Sequence, residues 1–448
     1  MPDTALDRML DEIYARVGEV APQPRLSATR KALELLGDPH RAYPIVHITG
    51  TNGKTSTSRI TESILRAHGL RTGLFTSPDL GYLGERIVVD GQPIAEEALV
   101  AAWDEVKPFI DLADAELATT GEPALTFFEA LTVLAYAVFA DAPIDVGVIE
   151  VGMGGEWDST NVADGQVAVF TPIDLDHTER LGRTVEEIAR TKAGIIKPGR
   201  SVVSAAQQQA ALTELERAAE LSEADLTLEG RDFRVLSRMP ASGGRVVDVQ
   251  GRAGRYPGLF VPLLGAHQAQ NTAVAIAAVE TFLGGGSQPI TGGVLAEGLA
   301  AATSPGRLQV AGSAPVLVVD AAHNPHGVAA MVAGLAESFP FEHVVAVVAV
   351  LADKDAAGMI RAAAGTVDEF VVTTAPSERS TDPDALAATV AGVVGAERVV
   401  VEPDLERALR AARDAAVTRD ATTTGVVVFG SITLVARTLQ LVREHGWS

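Results

Sequence analysis

Apolar residues recur along the first half of this chain in two alternating rhythms. Short Val- and Ile-rich runs occur at Pro44–Thr49, Thr72–Thr76, Val146–Val151 and Gln166–Thr171. Such runs are mostly apolar on both sides of the pleat, as strands buried on two faces are. Between them, segments near 57–68, 126–140 and 184–192 carry helical spacing. This alternation predicts an α/β fold with a mostly parallel sheet covered on both faces. Residues 202–260 are less regular, with Gly- and Arg-rich stretches such as Ala241-Ser242-Gly243-Gly244-Arg245, and predict a peripheral strand pair. Leu263–Phe282 reads as a helix whose many alanines permit close packing.

Ser304-Pro305-Gly306-Arg307 breaks the pattern, which then restarts. Strand-like runs follow at Val316–Val319, His343–Val350, Glu369–Thr374, Arg398–Val401 and Gly425–Phe429, with helical segments near 327–338, 382–395, 405–417 and 431–443. The expected organisation is a domain over 1–304, a hinge at 305–307, and a smaller Rossmann-like α/β domain over 308–448.

Composition narrows the function classes. The chain has 448 residues, enough for two or three domains, and 47% hydrophobic content supplies large cores. It has no cysteine, which removes disulfides, thiolate metal sites and a cysteine nucleophile. No apolar run reaches the roughly 18 residues that span a bilayer, and Met1-Pro2-Asp3-Thr4 does not begin a signal peptide. The expectation is a soluble, cytoplasmic, monomeric protein with no membrane partner. A net charge of −22 argues against nucleic acid, whose binders need clustered Lys and Arg. The chain has only six lysines, so those at Lys54 and Lys192 draw notice.

The run Ile45-Val46-His47-Ile48-Thr49 leads straight into Gly50-Thr51-Asn52-Gly53-Lys54-Thr55-Ser56 and a helical segment. Strand, glycine loop and helix together build a phosphate cradle: backbone N–H groups approach phosphate oxygens, and the helix N-terminus favours negative charge. Lys54 would reach the terminal phosphates, and the Thr55 hydroxyl would sit on Mg2+. A nucleoside triphosphate is therefore the expected ligand. The spacing is shorter than G-x-x-x-x-G-K-[ST], which would need glycine where Ile48 stands. Glu150 closes a buried run before Gly152-Met153-Gly154-Gly155, a strand end suited to holding Mg2+ near the phosphates. Asp174, Asp176 and His177 gather after Thr171, where His177 is a candidate metal ligand. Asp320, after Leu317-Val318-Val319, again stands at a strand end.

Gly-Thr-Asn-Gly-Lys-Thr resembles the ATP loop of the Mur ligase superfamily. Many further motifs, in order, resemble the bacterial dihydrofolate synthase/folylpolyglutamate synthase branch. They are Thr76-Ser77-Pro78, Glu85-Arg86-Ile87, Phe127–Thr132, Glu150–Gly155, Asp158–Asn161, Asp176–Ile196, Gly265–Asn271, Pro305-Gly306-Arg307, Asp320–Pro325 and Gly430-Ser431. The resemblance implies a Mur-ligase-type ATPase domain and an ATP-dependent ligase that adds L-glutamate to dihydropteroate, to reduced folates, or to both. It also implies site roles. Gly50, Thr51, Asn52, Gly53, Lys54, Thr55 and Ser56 would cradle ATP, with Asn271, Arg307 and Asp320 as further nucleotide contacts. Thr55, Ser77 and Glu150 would hold one Mg2+, and Glu150 with His177 a second. Lys192 resembles a lysine that is carbamylated in the superfamily. Lys54, His177, Lys192, Arg307 and His323 would serve catalysis, with His323 and Ser431 on the glutamate side of an interdomain cleft.

Two positions depart from the family pattern: Asp79 replaces a histidine in Ser77-Pro78-Asp79-Leu80, and Glu156 replaces an arginine in Gly154-Gly155-Glu156-Trp157-Asp158. Two alternatives stay open at this level. One is a Mur-type ligase acting on a non-folate carboxylate. The other is a decayed, nucleotide-binding regulatory protein.

Overall fold

The structure, a computed structural model, describes residues 4–18 and 23–447. Among these residues the N-terminal domain is built on an eight-stranded sheet ordered β4-β3-β2-β5-β1-β6-β7-β8. The strands are β1 (Ile45–Thr49), β2 (Thr72–Phe75), β3 (Ile87–Val89), β4 (Gln92–Pro93), β5 (Val146–Glu150), β6 (Val167–Phe170), β7 (Ser201–Ser204) and β8 (Asp225–Leu228). From β2 to β8 every pairing is parallel; β3 and β4 add an antiparallel edge. All five residues of β1 and of β5 are buried, which is why both read as mostly apolar runs.

Helices cover both faces. Lys54–Ala67 and His267–Gly284 pack on one face, and Phe127–Asp141 with Glu96–Thr119 on the other. Two of the starts that matter for the cleft are fixed by reciprocal caps. Thr126 and Glu129 form one capping box, and Thr184 and Glu187 form another ahead of the helix Val185–Ala193.

The structure corrects three expectations. Residues 202–260 do not form a strand pair: β7 and β8 extend the main sheet, with the helix Gln209–Leu221 between them. A separate antiparallel sheet follows, ordered β11-β10-β9, from β9 (Arg234–Ala241), β10 (Gly244–Gln250) and β11 (Arg255–Val261). The helix expected from Leu263 begins at His267, because Gly265 adopts φ +93°, a left-handed conformation that a continuing helix does not use. The 24-residue helix Glu96–Thr119 went unread; Pro108 in its interior reads as a breaker.

The C-terminal domain has a six-stranded sheet ordered β12-β13-β17-β14-β15-β16. Its strands are β12 (Gln309–Ser313), β13 (Val316–Asp320), β14 (His343–Val348), β15 (Glu369–Val372), β16 (Val399–Val401) and β17 (Thr424–Phe429). All pairings but β12–β13 are parallel. Helices Pro325–Ser338, Ala356–Ala363 and Pro383–Val394 cover one face, and Leu405–Arg419 and Ile432–His445 the other.

Candidate active site

Neighbouring parallel strands end at the same edge of a sheet, so their following loops meet there. In the N-terminal domain β5, β1 and β6 are adjacent, and their ends and the segments that follow carry Glu150, Gly50–Lys54 and Asp174–His177. In the C-terminal domain β13, β17 and β14 are adjacent, and their ends and the segments that follow carry Asp320–Asn324, Ser431 and Lys354. The two edges enclose a cleft of about 1200 Å3, which every sequence-predicted site residue named above lines, Thr55, Ser77 and Arg307 among them.

The glycine loop is held from below. The Thr51 N–H donates to the Pro172 carbonyl at 2.9 Å, and the Thr51 hydroxyl donates to the Asp174 carbonyl at 2.9 Å, clamping the ends of β1 and β6 together. Gly50 (φ +149°) passes so close to Thr171 that a Cβ would lie 1.9 Å from its Oγ1. Gly53 (φ +89°) caps the helix Lys54–Ala67, and a Cβ there would lie 2.7 Å from Asn271 Oδ1. Thr171 and Asn271 therefore take up the space that side chains at these two positions would fill, and the loop leads straight into the N-terminus of the helix Lys54–Ala67.

Glu150 is 1% exposed. Its Oε1 accepts from the Thr55 hydroxyl at 2.9 Å, while Oε2 is buried with no partner. Burial raises its pKa, opposed by Lys54, Thr55, Arg307 and the backbone of Ser77. An orphaned carboxylate oxygen on a group held by the Thr55 hydroxyl fits Mg2+, which takes hard oxygen donors and uses few protein carboxylates. Among the described residues no group of three or more His, Asp and Glu is placed to hold a metal ion.

His177 caps the short helix Thr178–Leu181 in a left-handed conformation, φ +49°. Burial lowers its pKa to about 3, so it is neutral. The charges that act on it are Asp176, Lys354, His323 and Lys54; those on Glu150 are Lys54 and Arg307. Lys54 is thus the charge common to both. Its own ammonium donates to the Thr51 carbonyl at 3.2 Å, and burial lowers its pKa against the pull of Glu150 and Asp176.

Lys192 is 4% exposed and donates to the Gly50 carbonyl at 2.7 Å. Burial, then the charge of Lys54, lowers its pKa to about 7. Asn271 joins a buried relay: its amide donates to Gln268 Oε1 at 2.9 Å, Gln268 donates to Ser56 Oγ at 3.3 Å, and Ser56 lies 2.9 Å from Ser304 Oγ. Asp320 has both oxygens on backbone, accepting from Leu308 N and Ala322 N at 2.8 Å each. It therefore fixes the segment that crosses between domains as well as lining the cleft.

Lys354 and His326 escaped the sequence reading, as did the pairing of Asp176 with Lys354. Asp176 Oδ1 accepts from Lys354 Nζ at 2.6 Å, and Oδ2 accepts from Asn324 Nδ2 and lies beside His323 Nε2, both at 3.2 Å. Burial pushes the Asp176 carboxyl up, but the hydrogen bond and charge of His323, with His177 and Lys354, outweigh it and hold the group well below the usual range. His326 Nδ1 lies 2.9 Å from Asn52 Nδ2. Lys354 had one usable signal, being a scarce lysine shortly after a Val-rich strand.

The two departures resolve differently. Asp79 accepts from Arg86 Nε at 2.7 Å, and the Arg86 guanidinium lies 5.3 Å from the Phe127 ring centroid, all three lining the cleft. Glu156 is exposed and not among the lining residues; its backbone packs on Gly194, so its charge faces solvent.

Residues 48–279 match the Mur ligase middle domain, and residues 306–432 the Mur ligase glutamate ligase domain. The chain is 41% identical to the dihydrofolate synthase/folylpolyglutamate synthase of Mycobacterium tuberculosis, over 97% of this chain and 93% of that one. It is 33% identical to the Escherichia coli protein of the same name, over 72% and 71%. Among solved structures, M. tuberculosis folylpolyglutamate synthase complexed with ADP superposes with a TM-score of 0.93 at 40% identity, covering 98% of each chain. An FPGS–AMPPCP–folate complex superposes with a TM-score of 0.82 at 30% identity, covering 98% of this chain and 99% of that one.

Proposed function

Since the chain belongs to the dihydrofolate synthase/folylpolyglutamate synthase family of Mur ligases, we propose how its own residues carry out that family's reaction. The protein is an ATP-dependent ligase that adds L-glutamate to dihydropteroate, to reduced folates, or to both. The observation that carries the assignment of roles is the cleft itself, where a glycine loop with Lys54 meets Glu150 from one domain and His323 and Lys354 from the other.

ATP would lie with its phosphates on Gly50–Ser56, where Arg307 also reaches a phosphate, and with its nucleoside toward Asn271 and Asp320. Thr55, Ser77 and Glu150 would hold Mg2+, and neutral His177 with Glu150 a second ion. When bound, the metal neutralises charge on the phosphoryl oxygens. The acceptor carboxylate attacks the γ-phosphorus, ADP leaves, and an acyl phosphate forms. Lys54 and Arg307 stabilise the charge that builds on the transferring group. The glutamate amine then attacks the acyl carbon, phosphate departs, and the amine proton goes to solvent or a nearby base. His323 and Ser431 line the side of the cleft from which glutamate approaches. Residues 305–307 act as the hinge between a domain over 1–304 and one over 308–448, so that closure keeps water from the acyl phosphate.

Lys192 is proposed to carry a carbamate. A buried lysine with a pKa of about 7 is about half neutral at neutral pH, and a neutral amine is the form that attacks CO2. The amine nitrogen bonds to the CO2 carbon, one proton leaves that nitrogen, and a neutral amine becomes an anion beside the phosphate loop.

The test is ADP formation with Mg2+ and L-glutamate, with dihydropteroate and tetrahydrofolate supplied separately and products weighed by mass spectrometry. Glutamate-dependent ADP and a glutamylated product with at least one acceptor are expected. ADP without any glutamylated product from folded enzyme contradicts the assignment.

A further inference from the structure

The helix Pro325–Ser338 touches the N-terminal domain at both of its ends. At its C-terminal end Gly334 packs on Gly265 and Leu308, beside the crossover between domains, and Glu337 pairs with the buried Arg245 of β10 at 2.6 Å. At its N-terminal end Asn324, the capping residue, exchanges hydrogen bonds with Asn52 and donates to Asp176, and His326 meets Asn52. The helix has 14 residues, so its ends lie about 20 Å apart. It is a lever with one end seated at the crossover and the other in the cleft. Rotation about the crossover would preserve the first set of contacts and break the second.

Within the second set, Asp176 stands apart. A single carboxylate gathers three side chains of the other domain, Lys354, His323 and Asn324. Asp176 and Lys354 are both nearly buried, with side chains 9% and 6% exposed. A buried ion pair depends on both partners, because either charge left alone is uncompensated. The pair therefore exists only in the closed cleft, and opening returns both groups to water.

We propose that Asp176 is the latch of this lever: a positioning residue that holds the C-terminal domain closed on the phosphate loop. Through Asn324 and Asn52 the latched position reaches the loop directly. The consequence for catalysis rests on the ligase reading above. A latched cleft brings His323 and Lys354 against the phosphates and shields the acyl phosphate until glutamate attacks. An unlatched cleft admits water, and ATP is spent without an amide.

The test uses the full chain carrying Asp176→Asn, Asp176→Glu or Lys354→Met, with far-ultraviolet circular dichroism confirming that each folds. Small-angle X-ray scattering reads the closure without reference to any substrate. Asp176→Asn and Lys354→Met should give a larger radius of gyration than wild type, and Asp176→Glu should restore part of the compaction. Turnover gives the second reading. Wild type should form one ADP per amide, whereas Asp176→Asn should lose about tenfold or more in amide formation while its ratio of ADP to amide rises well above one. Scattering profiles that superimpose on wild type overturn the latch, whatever the turnover. Opened profiles with a ratio still at one overturn its link to coupling. A wild type that makes no amide refutes the ligase reading and leaves the scattering comparison to decide the latch.

Discussion

Lys192 and Glu150 are buried groups whose charged forms the surrounding protein disfavours, and each is suited to a different task. Glu150 keeps one oxygen without a partner, a cost that a structural carboxylate would not carry. Lys192 sits at a pKa of about 7, so a tenfold rise in proton concentration from neutrality protonates most of it and a tenfold fall frees most of it. Only the free amine captures CO2. Carbon-13 bicarbonate should therefore label the enzyme increasingly as pH rises from about 6 to about 8, read as one carbamate resonance that Lys192→Arg abolishes. Label independent of pH, or persisting in Lys192→Arg, would place the reaction elsewhere. These two residues were legible because they stand in local motifs. The Asp176–Lys354 pair was not: its partners are 178 residues apart and neither segment signals the other. Scarcity of lysine was the one hint, and it was applied to Lys54 and Lys192 alone. The acid at Asp79 also had its answer nearby in sequence, since Arg86 pairs with it.

At the scale of elements, the phosphate loop is shaped by absent side chains. Gly53 needs a left-handed backbone and has Asn271 where a Cβ would go. Gly53→Ala should cost about 1–2 kcal/mol in the folded state from the backbone conformation alone. It should also displace the loop or Asn271 enough to weaken ADP binding by at least about tenfold. Calorimetric titration of folded Gly53→Ala checks this; affinity equal to wild type would mean that the loop's shape does not set nucleotide binding. Strands β1, β5, β6, β13, β14 and β17 were all readable, because burial on both faces leaves mostly apolar runs. Amphipathic elements over residues 202–260 were harder. In β9 six of eight residues are exposed, so tertiary pairing, and not an apolar pattern, makes it a strand. The helix Glu96–Thr119 shows the opposite case, in which packing against the helices Ser27–Leu35 and Phe127–Asp141 overrides a proline.

At the scale of the whole molecule, a chain of net charge −22 places its scarce cations where an anionic substrate must go. Lys54, Lys192, Arg307 and Lys354, together with His177, His323 and His326, all line one cleft between two sheets. No described helix is long and apolar enough to cross a membrane. On the proposed reading, the two-domain arrangement would supply one sheet edge to hold and activate ATP, a second to deliver glutamate, and a closure that excludes water between the two steps. The central claim is that the acceptor's own carboxylate oxygen is transferred to phosphate. The most direct measurement supplies acceptor labelled with oxygen-18 in its reactive carboxylate, together with ATP, Mg2+ and L-glutamate, and weighs the inorganic phosphate released. The account predicts one labelled oxygen in each phosphate and one fewer in the amide product. Phosphate free of label, with turnover intact, would contradict it.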